Sequence, residues 1–457
     1  MNNKTATILL AAGVATGAAM HAQETRTGYF LDEYTYRFQM NPAEGNAKNY
    51  VSMPVLGNLN VGMAGTLHLN AILYNVDGKT TTFLNPGVPA SEVMGRLHDK
   101  NRLDASVKIN LLSGGWKAWG GYNTVTISAR VDEMSQLPKS LFKLAKEGVT
   151  NRNYEIKGVR SHASAYSEIA LNHSRPINDE WRVGASVKFV LGFADIAADF
   201  NKADLTLGKE SWDIVANAYA RASIKNFSWK TSVNESTGER YVDGMDGGDF
   251  AVNGFGLGFD LGAVYTPKAL PDWKFSAAFT DIGFISWNNN VEASTNGDRT
   301  FTTDTYIFSV DNDAPNSFSK EWDRMRDGLE SVYQMEDNGD VGRRTTSLYT
   351  TINLGVNYTL PVYRPLTFGL LNTTRIAGDY SWTDFRLSAN VAPCNMFSAA
   401  ASFEFGTFGV GFGWLVNLHV TGFNLFAGMD HTMGKLAKQG VPLNSNASFN
   451  FGMNFLF

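Results

Sequence analysis

The side chains best placed to do chemistry in this sequence are four charges set among alternating apolar residues: Asp260, Arg386, Glu404 and Asp430. Asp260 lies between Phe259 and Leu261, Arg386 between Phe385 and Leu387, and Glu404 between Phe403 and Phe405. Neighbours along a strand point to opposite faces, so each charge belongs to a polar face backed by an apolar one. Such a face either carries an ion-pair network bracing an interior or forms a ring that selects solutes. Catalysis lacks its parts. A hydrolase needs a nucleophile, a base and an orienting acid held together, and no G-x-S-x-G element is present. His98, His162, His173 and His431 fall at loops or strand ends and read as solvated. The acidic runs Asp243–Asp249 and Glu336–Asp340 could offer carboxylates to calcium, but neither has the alternate acids and twelfth-position glutamate of an EF-hand. They read as solvated loop tips. The one cysteine, Cys394, sits in a turn without a partner, which leaves no disulfide and no zinc cluster. No enzyme activity, metal or cofactor is expected.

The elements that must position the four charges are strands of period two. Ile352, Leu354, Val356, Tyr358 and Leu360 alternate with Asn353, Gly355, Asn357 and Thr359. Phe385–Val391, Phe397–Phe405 and Phe408–Trp414 repeat the pattern. Their length of about ten residues is what a tilted strand needs to cross a bilayer. No apolar run approaches the roughly 20 residues of a membrane helix. A charge facing lipid at mid-depth would cost roughly 2–4 kcal/mol for a basic residue, so the four charges are expected to face the lumen.

Both ends of the chain agree with a membrane barrel. The last nine residues place Phe449, Phe451, Met453, Phe455 and Phe457 on one face, and Asn450, Gly452 and Asn454 on the other. A closing strand of this kind, with Phe449, Phe451, Phe455 and Phe457 toward lipid, reads as a signal to barrel assembly machinery. At the other end, Lys4 and the apolar run Ile8–Met20 precede a cleavage point after Ala22, the form of a secretory signal peptide. Removing it leaves roughly 435 residues, long for one soluble core. Charged residues make up 18% and the net charge is −5, which gives no basic footprint for nucleic acid.

Short turns at Pro176–Glu180, Thr266–Asp272, Pro361–Pro365 and Ala392–Asn395 contrast with long excursions at Asp77–Asn101, Asp132–His162, Asn226–Val252, Ser286–Ser347 and Asp430–Ser448. Short periplasmic turns opposite long outer loops are the barrel pattern. Parity then assigns the strand near Phe301–Val310 to an excursion rather than to the wall. Trp181, Tyr265, Trp273, Tyr358, Tyr363 and Trp382 lie near strand ends, as interfacial girdles do. Leu137–Val149 and Glu321–Met335 carry helical stripes within loops. The expected organisation is a signal peptide over 1–22, a periplasmic or plug segment over 23–60, and a barrel of about 14 strands over 61–457.

Met40–Ala43 (MNPA), Met53–Leu56 (MPVL), Leu111–Gly115 (LLSGG), the proline-led helix ending at Gly148 and the terminal Phe strand occur in that order. In this the chain resembles a family of uncharacterised outer-membrane barrels of the Bacteroidota, itself similar to FadL and PorV type barrels. That resemblance implies an all-β transmembrane antiparallel barrel with an N-terminal hatch, placed in the outer membrane of a Gram-negative cell. It leaves two functions open, of which transport is favoured. The favoured one is passive transport of small hydrophobic solutes, with Gly409, Gly411 and Gly413 leaving room beside the wall or allowing a kink for lateral exit, unless these glycines merely accommodate barrel curvature and close strand packing. The other is a non-transporting partner or scaffold in an envelope secretion or assembly complex. Its partners would be outer-membrane lipid and the assembly machinery, with a hydrophobic ligand in the first case and an envelope protein in the second.

Overall fold

The computed structural model describes residues 24–148, 152–207, 211–234, 238–303, 317–431 and 446–457. Fourteen antiparallel strands form the wall. The first, β1, is in two pieces, Tyr50–Ser52 and Leu59–Gly65. Next come β2 (Lys100–Ala118), β3 (Gly121–Pro138), β4 (Val159–Pro176) and β5 (Trp181–Leu207). They are followed by β6 (Gly254–Tyr265), β7 (Trp273–Trp287), β8 (Thr351–Thr359) and β9 (Leu366–Arg375). The wall ends with β10 (Trp382–Cys394), β11 (Phe397–Gly406), β12 (Gly409–Val420), β13 (Phe423–Met429) and β14 (Ala447–Leu456). Each pairs with the next in sequence. Two further pairings, of β5 with β6 and of β7 with β8, bridge the long excursions. The ring closes where β14 pairs with both pieces of β1, through Tyr50↔Leu456 and Leu59↔Phe451. A closed ladder leaves no lipid-facing edge of unpaired backbone groups.

The two faces of this wall are inverted relative to a water-soluble barrel. Phe259, Leu261, Phe279, Leu354, Phe368, Leu387, Phe403 and Phe412 are exposed on the outside, while Asn60, Asn110, Ser128, Asn353, Ser388 and Asn417 are buried within. Water would penalise such an exterior and lipid favours it, so the barrel spans a membrane. At one end Trp181 stacks on Tyr265 with ring centroids 4.5 Å apart, and Trp273 lies 4.8 Å from Tyr358. Trp382 departs from the expected girdle. It opens β10 at the opposite end, and its buried indole lies under the Arg26 guanidinium.

Short turns join the strands at the girdle end, including the four anticipated ones. Two were missed: 119–120, where Trp119 and Gly120 both have positive φ as a tight hairpin requires, and 421–422. The long connections lie at the other, loop end, together with the short links 376–381 and 407–408. There β5 continues past the wall and pairs with the strand Trp212–Ile224, which pairs with Val291–Ser294 and Arg299–Thr302. Phe301 therefore belongs to the excursion, as parity required, while residues 304–310 lie outside the described ones.

Besides two short helices, Leu69–Ile72 and Ala90–Gly95, the two loop helices expected from the sequence are present among the described residues. The first, α1 (Lys139–Glu147), follows Pro138 and ends at Gly148, whose φ of 68° suits a glycine after a helix. Its Phe142 is buried against a cluster with Leu67, Tyr74 and Val93. The second, α2 (Phe318–Ser331), packs Met325 and Leu329 against a cluster with Ile214 and Phe301.

Candidate functional site

Residues 24–49 fill the turn-side half of the lumen. Two one-turn helices, Arg26–Gly28 and Arg37–Gln39, frame a run in which Tyr29, Phe30, Leu31, Tyr34, Tyr36, Phe38 and Met40 are all buried. They pack on Leu371, Leu415 and Phe426 of the wall. The inner wall is mostly Asn, Ser and Thr, so this segment supplies the apolar core that the lumen otherwise lacks. Its phenols find wall partners: Tyr36 donates to Asn454 Oδ1 at 2.7 Å, and the Tyr29 hydroxyl lies 3.0 Å from Ser276 Oγ. Burial pushes the Tyr34 and Tyr36 phenols well above their ordinary range. The wall begins at Tyr50, so the plug ends before the boundary at Asn60 expected from the sequence. The period-two signal of Tyr50–Ser52 is too short to read.

Inward-facing glycines let the plug touch wall backbone. A Cβ at Gly369 would collide with Phe30, one at Gly413 with Thr27, and one at Gly184 or Gly262 with the Asn41–Pro42 segment. This corrects the reading of Gly409, Gly411 and Gly413 as room beside the wall. Gly411 is filled by Glu404, Gly413 by Thr27, and Gly409 is a hairpin glycine with φ of 94°.

The plug is fastened by charge as well as by packing. Arg26 pairs with Asp384 at 2.5 Å, and the Asp430 carboxylate accepts the backbone N–H groups of Arg26 and Thr27, both at 2.8 Å. Arg386 pairs with Glu404, lies 3.7 Å from Asp430 and donates to Ser402 Oγ at 2.9 Å. His431 completes this cluster by pairing with Glu404. Three of the four candidate charges thus meet in one place. The fourth, Asp260, belongs to a second cluster across the lumen, where it accepts from Lys188 at 2.8 Å and from the Asp281 N–H at 2.8 Å. There Arg130 bridges Asp132 at 2.9 Å and Asp281 at 3.1 Å, and Lys108 holds the plug's Glu24 at 2.5 Å. At the turn end Arg37 and Lys274 flank Glu44 at 3.2 and 3.0 Å. Burial opposes ionisation of Glu44, yet these two cations hold its carboxyl below the ordinary range.

Deep between plug and wall lies a cavity of about 60 Å³, lined by Glu24, Arg26, Lys108, Arg130, Lys188 and Arg375 among others; two wider cavities flank the plug at the turn end, of about 160 Å³ beside Thr35, Tyr50 and Asn424 and of about 790 Å³ beside Arg37, Glu44 and Arg182. The deep one has room for a few waters, far below the roughly 300 Å³ at which small-molecule pockets begin.

The motifs singled out in the sequence turn out to be construction points. Asn41 Oδ1 accepts the Ala43 N–H at 3.0 Å while its amide reaches the Tyr29 hydroxyl at 3.3 Å, which pins the plug's last bend. Met53–Leu56 and Leu111–Gly115 lie side by side. They form a double bulge in which the Val55 N–H donates to Leu111 O at 3.1 Å and the Ser113 N–H donates to Ser52 Oγ at 2.7 Å. Val55 has a φ of 65°, rare for a β-branched residue. On β14, Phe449, Phe455 and Phe457 are exposed and Phe451 partly so, on the outer face.

Two histidines are not solvated as expected. His162 and His431 are buried and bonded to acids. His162 shares an inward register with Ser164 and Tyr166, a signal too short to separate from a loop beginning.

A family model described as a family of unknown function, DUF5723, matches residues 42–430. No curated protein matches the sequence. Among solved structures, the chain is similar to the Ralstonia pickettii toluene transporter TbuX, at 9% identity and a TM-score of 0.42, over 92% of each chain. It is also similar to the ΔS2S3 mutant of the monoaromatic hydrocarbon channel TodX, at 9% identity and a TM-score of 0.41, over 92% of this chain and 94% of that one. A Pseudomonas aeruginosa FadL homologue matches at 9% identity and a TM-score of 0.36, over 96% of this chain and 98% of that one.

Proposed function

The chain belongs to this family of unknown function, and we propose that it is a closed outer-membrane barrel serving as a scaffold or partner within a cell-envelope complex, with its own N-terminus as a fixed plug. The observation that carries this reading is the filled lumen. Apolar side chains of the plug pack against the wall in the turn-side half, buried ion pairs hold the plug on two sides, and the innermost cavity, of about 60 Å³, has charged walls. A hydrophobic solute would have to enter that space against the desolvation of buried charges. The ion-pair clusters around Arg386 and Asp260 then act as braces rather than as a selecting ring. The barrel's lipid-facing β14, with Phe449, Phe451, Phe455 and Phe457, would serve the assembly machinery.

Passage of small hydrophobic solutes is a second reading, favoured by one observation. Between Ser52 and Leu59 the wall ladder is interrupted by the Met53–Asn58 bulge, whose Gly57 lies against Tyr36 of the plug. A route there would require the plug to shift. Purified protein in liposomes separates the two. A sealed scaffold gives no uptake of a toluene-sized probe and no ion conductance, and it co-purifies with a stoichiometric envelope protein. Saturable uptake by the wild-type barrel would replace this reading with the transport one.

A further inference from the structure

Above the sealed part of the lumen, the loop-end mouth holds a separate cavity of about 310 Å³. Its lining includes Arg160 and His162 from the start of β4, Arg221 from the strand Trp212–Ile224, and Tyr349 and Tyr380 from beside β8 and β10. Beneath it runs a relay of buried hydrogen bonds. The Asp195 carboxylate holds His162 Nε2 at 2.8 Å and pairs through its other oxygen with Arg344. His162 Nδ1 lies 2.8 Å from the Tyr349 hydroxyl. With both ring nitrogens engaged, the imidazole is fixed, and it fixes the phenol at the cavity wall.

Of the two guanidinium groups, Arg160 is matched by Asp199 at 3.5 Å and by Asp379. Arg221 bonds the Tyr219 side chain but makes no ion pair with a described residue, and its Nε is left without a hydrogen-bond partner. A buried donor with nothing to bond is costly, and a guanidinium fork is best satisfied by a planar carboxylate or a phosphate. The other walls suit a polyol: phenol hydroxyls, the Thr346 hydroxyl and two aromatic faces. The volume is at the small end of ligand sites and matches a single sugar ring.

We propose that this cavity binds one sugar unit carrying a carboxylate or phosphate, with Arg221 receiving the acidic group and Tyr349, positioned by His162, bonding a ring hydroxyl. The proposal does not depend on whether the barrel conducts.

The test is calorimetric titration of the full-length folded barrel in detergent with glucuronate, with glucose 1-phosphate and with glucose. At least one acidic sugar should bind saturably, and glucose should bind at least about tenfold more weakly. Which acidic sugar binds tighter identifies the group that Arg221 receives. Arg221→Met should weaken that ligand by roughly 10–100-fold, the loss expected for a hydrogen bond to a charged group. Arg221→Lys should fall between, and Tyr349→Phe should cost about fivefold, near the low end for a neutral hydrogen bond. Lys268→Ala, at the exposed turn end, should bind as wild type. Heat-modifiable migration on a detergent gel reports folding for each variant, and if Arg221→Met does not fold, Arg221→Lys and Tyr349→Phe carry the test. Absence of saturable binding, equal affinity for glucose, or undiminished affinity in the folded Arg221 variants would overturn the proposal.

Discussion

The two halves of this lumen solve the same problem differently. On the turn side, a polar inner wall is filled by an apolar insert, with Tyr29, Phe30, Tyr34, Tyr36 and Phe38 packed into it. On the loop side the wall fills itself only in part, through side-chain networks such as Asp195–His162–Tyr349, and a cavity of about 310 Å³ is left. The contrast shows that closure of a barrel does not by itself close its interior. The turn half has an apolar core because a separate segment, residues 24–49, lies within it, and the loop half keeps its polar cavity because no comparable segment of the described residues enters it.

Removing the insert should have the largest effect. Deleting residues 24–48 should convert a non-conducting barrel into one with measurable single-channel conductance in a planar bilayer, while the loop-end cavity keeps its ligand affinity. Unchanged conductance would mean that the wall collapses inward and that the insert is not what seals the turn half. Next, Asp430→Asn leaves Arg26 and Arg386 short of a buried counter-charge and replaces one of the two oxygens that accept the Arg26 and Thr27 N–H groups with an amide that cannot accept. Breaking a buried pair costs about 3–5 kcal/mol, so the temperature of unfolding on a heat-modifiability series should fall sharply. A shift within error would show that the latch is not a brace.

Gly369→Val sharpens the comparison further. Added atoms would strike Phe30, and overpacking of this kind costs about 1–3 kcal/mol. Protease should then cut within the plug of the folded barrel, whereas Gly247→Val at the loop end, where nothing lies nearby and the backbone is not left-handed, should leave the plug protected. The smallest effect concerns acid. Glu44 has its carboxyl held low when docked, so its contribution to docking is complete above the undocked value near 4.5 and is lost as pH falls through the lower docked value. Conductance should therefore stay at baseline down to about pH 4.5 and rise only below it. A rise between pH 5 and 7 would place the sensitive group elsewhere.

The wall was legible in the sequence because its physics is local. Ile352–Leu360 and Phe449–Phe457 declare their faces by alternation alone, and Asp260, Arg386, Glu404 and Asp430 follow as inward residues once the outer face is lipid. The plug was legible as a segment but not as a fit. Its contacts, such as Thr27 with Asp430 and Phe30 with Gly369, join residues more than 300 positions apart, and no local period encodes them. The same holds for the relay under the loop-end cavity. Asp195, His162 and Tyr349 sit on three different strands or their margins, and each reads as an ordinary polar residue until the ring closes. The MPVL and LLSGG runs stood out in the sequence, yet their meaning as two halves of one bulge needed the pairing of β1 with β2.

The closing seam carries a consequence for how the molecule is made. Tyr36 bonds Asn454 and packs on Phe426, so residues from the first tenth of the chain touch the last two strands from inside the ring. A segment packed in that position cannot be threaded through the finished wall. The first part of the chain to be exported must therefore wait, folded back on itself, until the last strand arrives to enclose it. Glu24 is held by Lys108 inside the ring, so a bulky tag fused just ahead of it would compete with that enclosure. Markers for tracking the protein therefore belong in the loops.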